Sequence, residues 1–157
     1  MIHLQDITDS VTLRIAIDGY QFPQGTCDWL MVRVQLNFGT SQFERTDPAL
    51  EVGELARLEE WLADLQRGAI PRFTSLSFTE PCLELQLVGR PRGPVRFSVA
   101  LDHELKPDFV VDPFGVGLEP GDECTCSFEC SEAQLQEIID NVREERRRWP
   151  RRVVRRP

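Results

Sequence analysis

The chain contains no stretch approaching the roughly 18–20 consecutive apolar residues that a membrane-crossing helix requires. Its first ten residues, MIHLQDITDS, have neither a basic segment nor an apolar core of the kind a secretory leader carries. Histidine occurs twice, at His3 and His103, and tyrosine once. There is no glycine-rich phosphate loop, no GxGxxG turn, no HExxH helix and no GxSxG elbow. CxxC knuckles are also missing: the five cysteines stand at 27, 82, 124, 126 and 130. An odd number of cysteines without a leader reads as reduced thiols in a cytoplasmic protein. These absences leave no catalytic residue, no metal ligand set and no cofactor to assign, and they predict a soluble non-enzyme.

What remains is a 157-residue chain, 41% hydrophobic and 28% charged, which suffices for one domain with a real core. Its charge is unevenly distributed. Residues 1–142 hold 24 acidic and 10 basic side chains, a net of −14. Residues 143–157 hold eight arginines and two glutamates, a net of +6. A body of −14 repels phosphate, so nucleic acid is a poor partner for it and a basic protein a good one. The tail, with Arg147, Arg148, Arg151, Arg152, Arg155 and Arg156, is the one segment suited to nucleic acid. Arg143, Arg146 and Arg147 also suit the negative end of a closing helix.

Hydrophobic spacing divides the chain into strands and two helices. Val11, Leu13, Ile15 and Ile17 alternate with polar or small residues, as do Leu30, Val32, Val34, Leu36 and Phe38. A short partner strand around Phe43 runs to Arg45. The period then changes. Leu55, Leu58, Leu62 and Leu65 recur every three or four residues, predicting a helix at about 51–67, with Asp47-Pro48 as its start signal and Gly68 as its stop. Strands resume at Phe73–Phe78, Leu83–Leu87, Val95–Leu101 and Cys124–Cys130. Residues 106–121 read as a long irregular loop with an apolar patch at Phe109, Val110 and Val111. Ser131 and Gln134 form a capping-box pattern ahead of Leu135, Ile138, Ile139 and Val142, predicting a second helix at about 132–149. Every strand alternates on one side only, the mark of an antiparallel sheet. The expected fold is α+β: a single curved antiparallel sheet of about six to eight strands, with both helices packed on its apolar face. Residues 1–149 are expected to form one domain, and 150–157 an arginine-rich mobile tail with no apolar period to bury.

Some residue groupings invite chemistry. Cys124, Cys126 and Cys130 lie on one face of a strand beside Phe128, about 6.8 Å apart per two-residue step, which suits core packing and not a converging tetrahedron. His103 stands between Asp102 and Glu104, but neighbouring strand residues point to opposite faces. Paired acids such as Glu59-Glu60 suit a solvated surface. The wet face of the first helix offers Glu60 and Asp64, with Glu59 and Trp61 at its edges, and is the expected partner-binding surface. Trp61 suits either a core edge or an aromatic anchor among carboxylates.

The series D-W-L-x-V-x-V-x-L (28–36), E-L-x-x-L-x-x-W-L-x-x-L (54–65), E-P-C-L-E-L-Q-L (80–87), G-x-V-x-F-x-V-x-L (93–101) and the closing L-x-x-I-I helix resembles the WapI-like family of small bacterial immunity proteins. The resemblance spans roughly residues 28–149. It implies a non-enzymatic protein that protects its cell against a polymorphic toxin, often a nuclease, delivered by neighbours. The residues by themselves leave four classes open: a binding protein that masks a basic partner, a protein-interaction or scaffold domain unrelated to toxins, which an edge strand could pair with a second copy, a nucleic-acid-associated protein using the tail, and, last, a hydrolase or metal protein whose site no motif reveals.

Overall fold

The computed structural model describes residues 2–6, 8–89, 94–119, 121 and 123–152. Strands β1 (Ile2–Gln5), β2 (Val11–Tyr20), β3 (Trp29–Phe38) and β4 (Ser41–Glu51) precede helix α1 (Glu54–Gln66). Strands β5 (Ser75–Ser77), β6 (Leu83–Gly89), β7 (Val95–Leu101) and β8 (Cys124–Cys130) follow, and helix α2 (Glu132–Arg148) closes the described chain. A 3₁₀ turn, His103–Leu105, follows β7.

The strands form two antiparallel four-stranded sheets, β1-β2-β3-β4 and β5-β6-β7-β8, and not the single curved sheet expected. Both are simple meanders, because each strand pairs with its sequence neighbour. Among the described residues the two meet at one bridge, Asp6 to Phe128. The physical reason lies in β1. It is four residues long, and directly after it the chain turns back tightly through Asp9, whose φ is +57°. A ladder between β1 and β8 therefore stops after one rung.

The sequence-spacing expectations for β2, β3, β6, β7, β8 and both helices match these elements to within a few residues. The first helix starts later than expected. Asp47-Pro48 is not its start signal, because β4 continues through both to Glu51. Proline is tolerated there since β4 is an edge strand and its register with β3 slips between Leu30 and Met31, opposite Pro48. Helix α1 ends as expected, with Gly68 at φ +82° just beyond the last turn. At the start of α2, Ser131 accepts from the Gln134 N–H and the Gln134 side chain accepts from the Ser131 N–H, a reciprocal capping box.

One continuous core fills the space between the sheets and helices. Leu13, Val34 and Leu36 enter it from the first sheet, Phe97, Val99 and Phe128 from the second, Leu55 and Leu62 from α1, and Leu135 and Ile139 from α2. The helices lie against each other, joined at the solvent side by Gln66 Nε2 donating to Gln136 Oε1 at 2.6 Å.

Candidate interaction surface

The four residues expected on the outer face of α1 fall into different environments. Glu60 is exposed. Asp64 is half-buried and paired with Arg67 one turn on. Trp61 is not on this surface. It is 4% exposed, packs edge-on against Phe97 with ring centroids 6.1 Å apart, and donates its indole N–H to the Phe73 carbonyl at 3.0 Å. At the edge of the leucine stripe, the tryptophan turns inward because the second sheet lies beneath it. Glu59 points toward α2, where its carboxylate accepts from Arg143 Nε at 3.0 Å and from Arg146. Burial raises the Glu59 pKa, but hydrogen bonds from Arg146 and Arg143 outweigh it and hold the carboxyl below its ordinary range. Only Glu60 and Asp64 therefore remain of the expected patch as surface acids.

The arginines of α2 and its extension are largely occupied by the protein itself. Arg143 also bonds Asp140 at 2.8 Å, Arg147 bonds Glu144 at 3.3 Å, and Arg148 lies 5.1 Å over the Trp149 ring. Trp149 packs edge-on against Tyr20, and the Tyr20 hydroxyl donates to the Pro150 carbonyl. Arg151 lies against Gly53, the residue before α1, where a side chain would collide with its guanidinium. Arg152 is the most heavily held. Its backbone N–H donates to Asp28 at 2.8 Å, and its guanidinium donates to the carbonyls of Phe22, Gly25 (2.7 Å) and Pro23 (3.1 Å) while lying 3.4 Å over the Tyr20 ring. Arg155 and Arg156, the rest of the expected tail set, lie outside the described residues. Arg152 thus anchors the 21–28 loop to the end of α2. Replacing it with alanine is expected to cost about 1–2 kcal/mol and to raise amide hydrogen exchange selectively across residues 21–28. Unchanged exchange in that loop would show that the anchor is idle in solution.

Residues 106–121 form the long irregular connection expected, but its apolar residues are arranged otherwise. Val111 is buried and Phe109 packs against the core, whereas Phe114, Val116 and Leu118 are 57%, 71% and 38% exposed. Asp112 holds the tip. Its Oδ1 accepts from the Val116 N–H at 2.9 Å, and its Oδ2 from the N–H groups of Gly117 at 2.8 Å and Leu118 at 3.4 Å. Those N–H groups keep the Asp112 carboxyl below its ordinary pKa. The cradle needs Gly115 and Gly117 at φ +62° and +83°, the left-handed region that a side chain disfavours. Two grooves flank the loop base, of about 140 Å³ beside Leu118 and about 430 Å³ along the β4 edge, both reaching Lys106 and Asp108.

The sequence pattern of the immunity protein WapI-like family matches residues 3–150, nearly the whole chain. The chain belongs to that family. No curated protein matches it. In this WapI-like chain the cysteines of β8 are core residues: Cys124, Cys126 and Cys130 are buried on the face that also carries Phe128. Burial pushes the Cys130 thiol up to about 11. Cys82 is likewise pushed up to about 11, mainly by burial. Cys126 is raised because its thiol hydrogen-bonds Cys124, whose own pKa falls in return. His103 is exposed at φ +47°, 3.9 Å from Asp102. Among the described residues, no three metal-ligating side chains converge.

Proposed function

We propose that this WapI-like protein is a non-enzymatic cytoplasmic immunity protein that binds one toxin domain and masks it, and that the toxin is basic. Family membership supports the toxin as the partner class. The observation that carries the basic character is charge. Residues 1–142 hold a net of −14 and the whole chain −8, and among the described residues Arg143, Arg146, Arg147 and Arg152 are held close to Glu59, Asp140, Glu144 and the 21–28 loop. That engagement also argues against the tail as a nucleic-acid grip. The excess acid attracts a basic protein over several ångströms and raises its association rate. Glu60 and Asp64 on α1 contribute to this long-range attraction.

The test first looks beside this gene for a large secreted repeat protein and takes the C-terminal domain of any such neighbour as the toxin. Co-expression with the chain is expected to restore growth to cells that the domain alone kills. Binding measured by stopped flow is expected to slow at least about tenfold between low salt and ~0.5 M salt, because screening removes the attraction. Killing that continues with the chain in molar excess would overturn the immunity reading, and a salt-independent association rate would overturn the basic partner.

A further inference from the structure

We infer that the 112–118 loop is the docking element for the toxin, inserting Phe114 and Val116 into an apolar slot ringed by basic side chains. This rests on the proposed toxin-neutralising role and adds its contact surface. Large apolar side chains scattered singly on a surface need no explanation. Here three stand within five residues of one loop, at 57%, 71% and 38% exposure. They are also held in place. Three successive backbone N–H groups bind the Asp112 carboxylate, so the tip is ordered before it meets anything. A pre-ordered apolar projection loses little conformational entropy on binding, which is what a tight inhibitor requires.

The surroundings decide the occupant. Residues 102–123 carry seven acidic side chains against Lys106 alone as a full cation, a net of −6, and Asp108 and Glu123 are exposed at the loop base. An apolar tip within an acidic rim is complementary to an apolar slot within a basic rim. A second copy of this chain would bring −6 against −6, and an anionic lipid surface or nucleic acid would be repelled in the same way. A basic protein is the occupant that this chemistry selects.

The experiment measures binding of the neighbouring-gene toxin domain to the intact chain and to three double variants, Phe114→Ser/Val116→Ser, Asp108→Lys/Glu123→Lys and Glu60→Lys/Asp64→Lys. The first should weaken affinity at least about thirtyfold, mostly through faster dissociation, as loss of a central anchor does. The second should slow association and flatten its salt dependence. The α1 pair should change association by a few-fold and leave dissociation alone. Wild-type binding with the Phe114/Val116 variant within threefold of it would overturn the loop and leave the neutralising role standing. A wild-type chain that does not bind the domain would overturn both. Sedimentation velocity supplies the remaining outcome: a dimer of the chain that the Phe114/Val116 change dissociates would overturn the basic protein as occupant. Should that variant unfold, the Asp108/Glu123 pair tests the same surface, and normal association by it would sink the proposal.

Discussion

Replacing Glu54 with alanine is expected to lower the unfolding free energy by about 3 kcal/mol, a fifth or more of what a domain of this size typically has. Glu54 is 4% exposed at the first turn of α1. One carboxylate oxygen accepts from the Glu51 N–H at 2.9 Å; the other accepts from the Thr79 N–H at 2.8 Å, the Thr79 hydroxyl at 3.0 Å and Arg57 at 3.4 Å. A single side chain therefore ties the end of β4, the start of α1 and the segment between β5 and β6. Alanine would leave the N–H groups of Glu51 and Thr79 and the Thr79 hydroxyl, all in part-buried bonds, without this acceptor, each costing up to about 1–3 kcal/mol before water relieves part of it. Glu54→Gln keeps one acceptor but turns an NH₂ toward a donor, so its loss should be intermediate. Glu60→Ala, on the open side of the same helix, should stay within about 0.5 kcal/mol. Urea denaturation followed by far-UV circular dichroism reads all three. A loss below about 1 kcal/mol for Glu54→Ala would mean that water replaces the carboxylate at no cost.

Glu54 also illustrates where sequence reasoning stops. An acid in the first turn of a helix is well placed against the helix dipole, and nothing local distinguishes that ordinary role from a buried tie to Thr79, 25 residues on. Whatever rests on local periodicity was legible: the alternation in 11–17 and 30–38, the leucine stripe of α1 and the Ser131/Gln134 cap. Long-range pairing was not. Glu59 meets Arg143 and Arg146 more than 80 residues away, so a residue that reads as part of a wet face belongs to an interhelical ion pair. The inward position of Trp61 depends on Phe97 and Phe73, which its own helix cannot specify. β1 escapes notice because four residues, Ile2–Gln5, give too short an alternation to count. The split into two sheets rests on one missing ladder, set by the turn after β1. The loop at 106–121 was legible as a loop, yet its exposed trio was not. Phe109–Val111 is the denser apolar run, and the exposed Phe114 and Val116 lie on a tip held by the Asp112 cradle, which local periodicity does not reveal.

Asp6, at the junction of the two sheets, should make stability fall in acid. It is 4% exposed, and its Oδ1 accepts from the N–H groups of Ser10 and Val11, both at 2.8 Å, while Oδ2 accepts from the Thr8 hydroxyl and from the Thr8 N–H at 3.3 Å. Burial raises its pKa, but the Thr8 hydroxyl and the N–H groups of Val11, Thr8 and Ser10 together bring it below the ordinary 3.8. A carboxyl whose folded pKa is depressed adds stability that is complete above its unfolded pKa and is lost as pH falls through the folded one. Wild-type stability is therefore expected to hold from neutral pH to about pH 5 and to decline below about pH 4, with Glu59 adding to the decline for the same reason. Asp6→Ala should cost about 2–3 kcal/mol at pH 7, because it frees the backbone donors of the turn that lets Asp6 bridge to Phe128. Asp6→Asn keeps one acceptor oxygen and has no proton to gain, so it should cost about 1 kcal/mol at pH 7 and approach wild type as the pH nears 3. Chemical denaturation of both proteins at pH 7, 5, 4 and 3 measures that convergence. A gap between wild type and Asp6→Asn that stays constant over the series would show that the Asp6 charge plays no part in holding the turn.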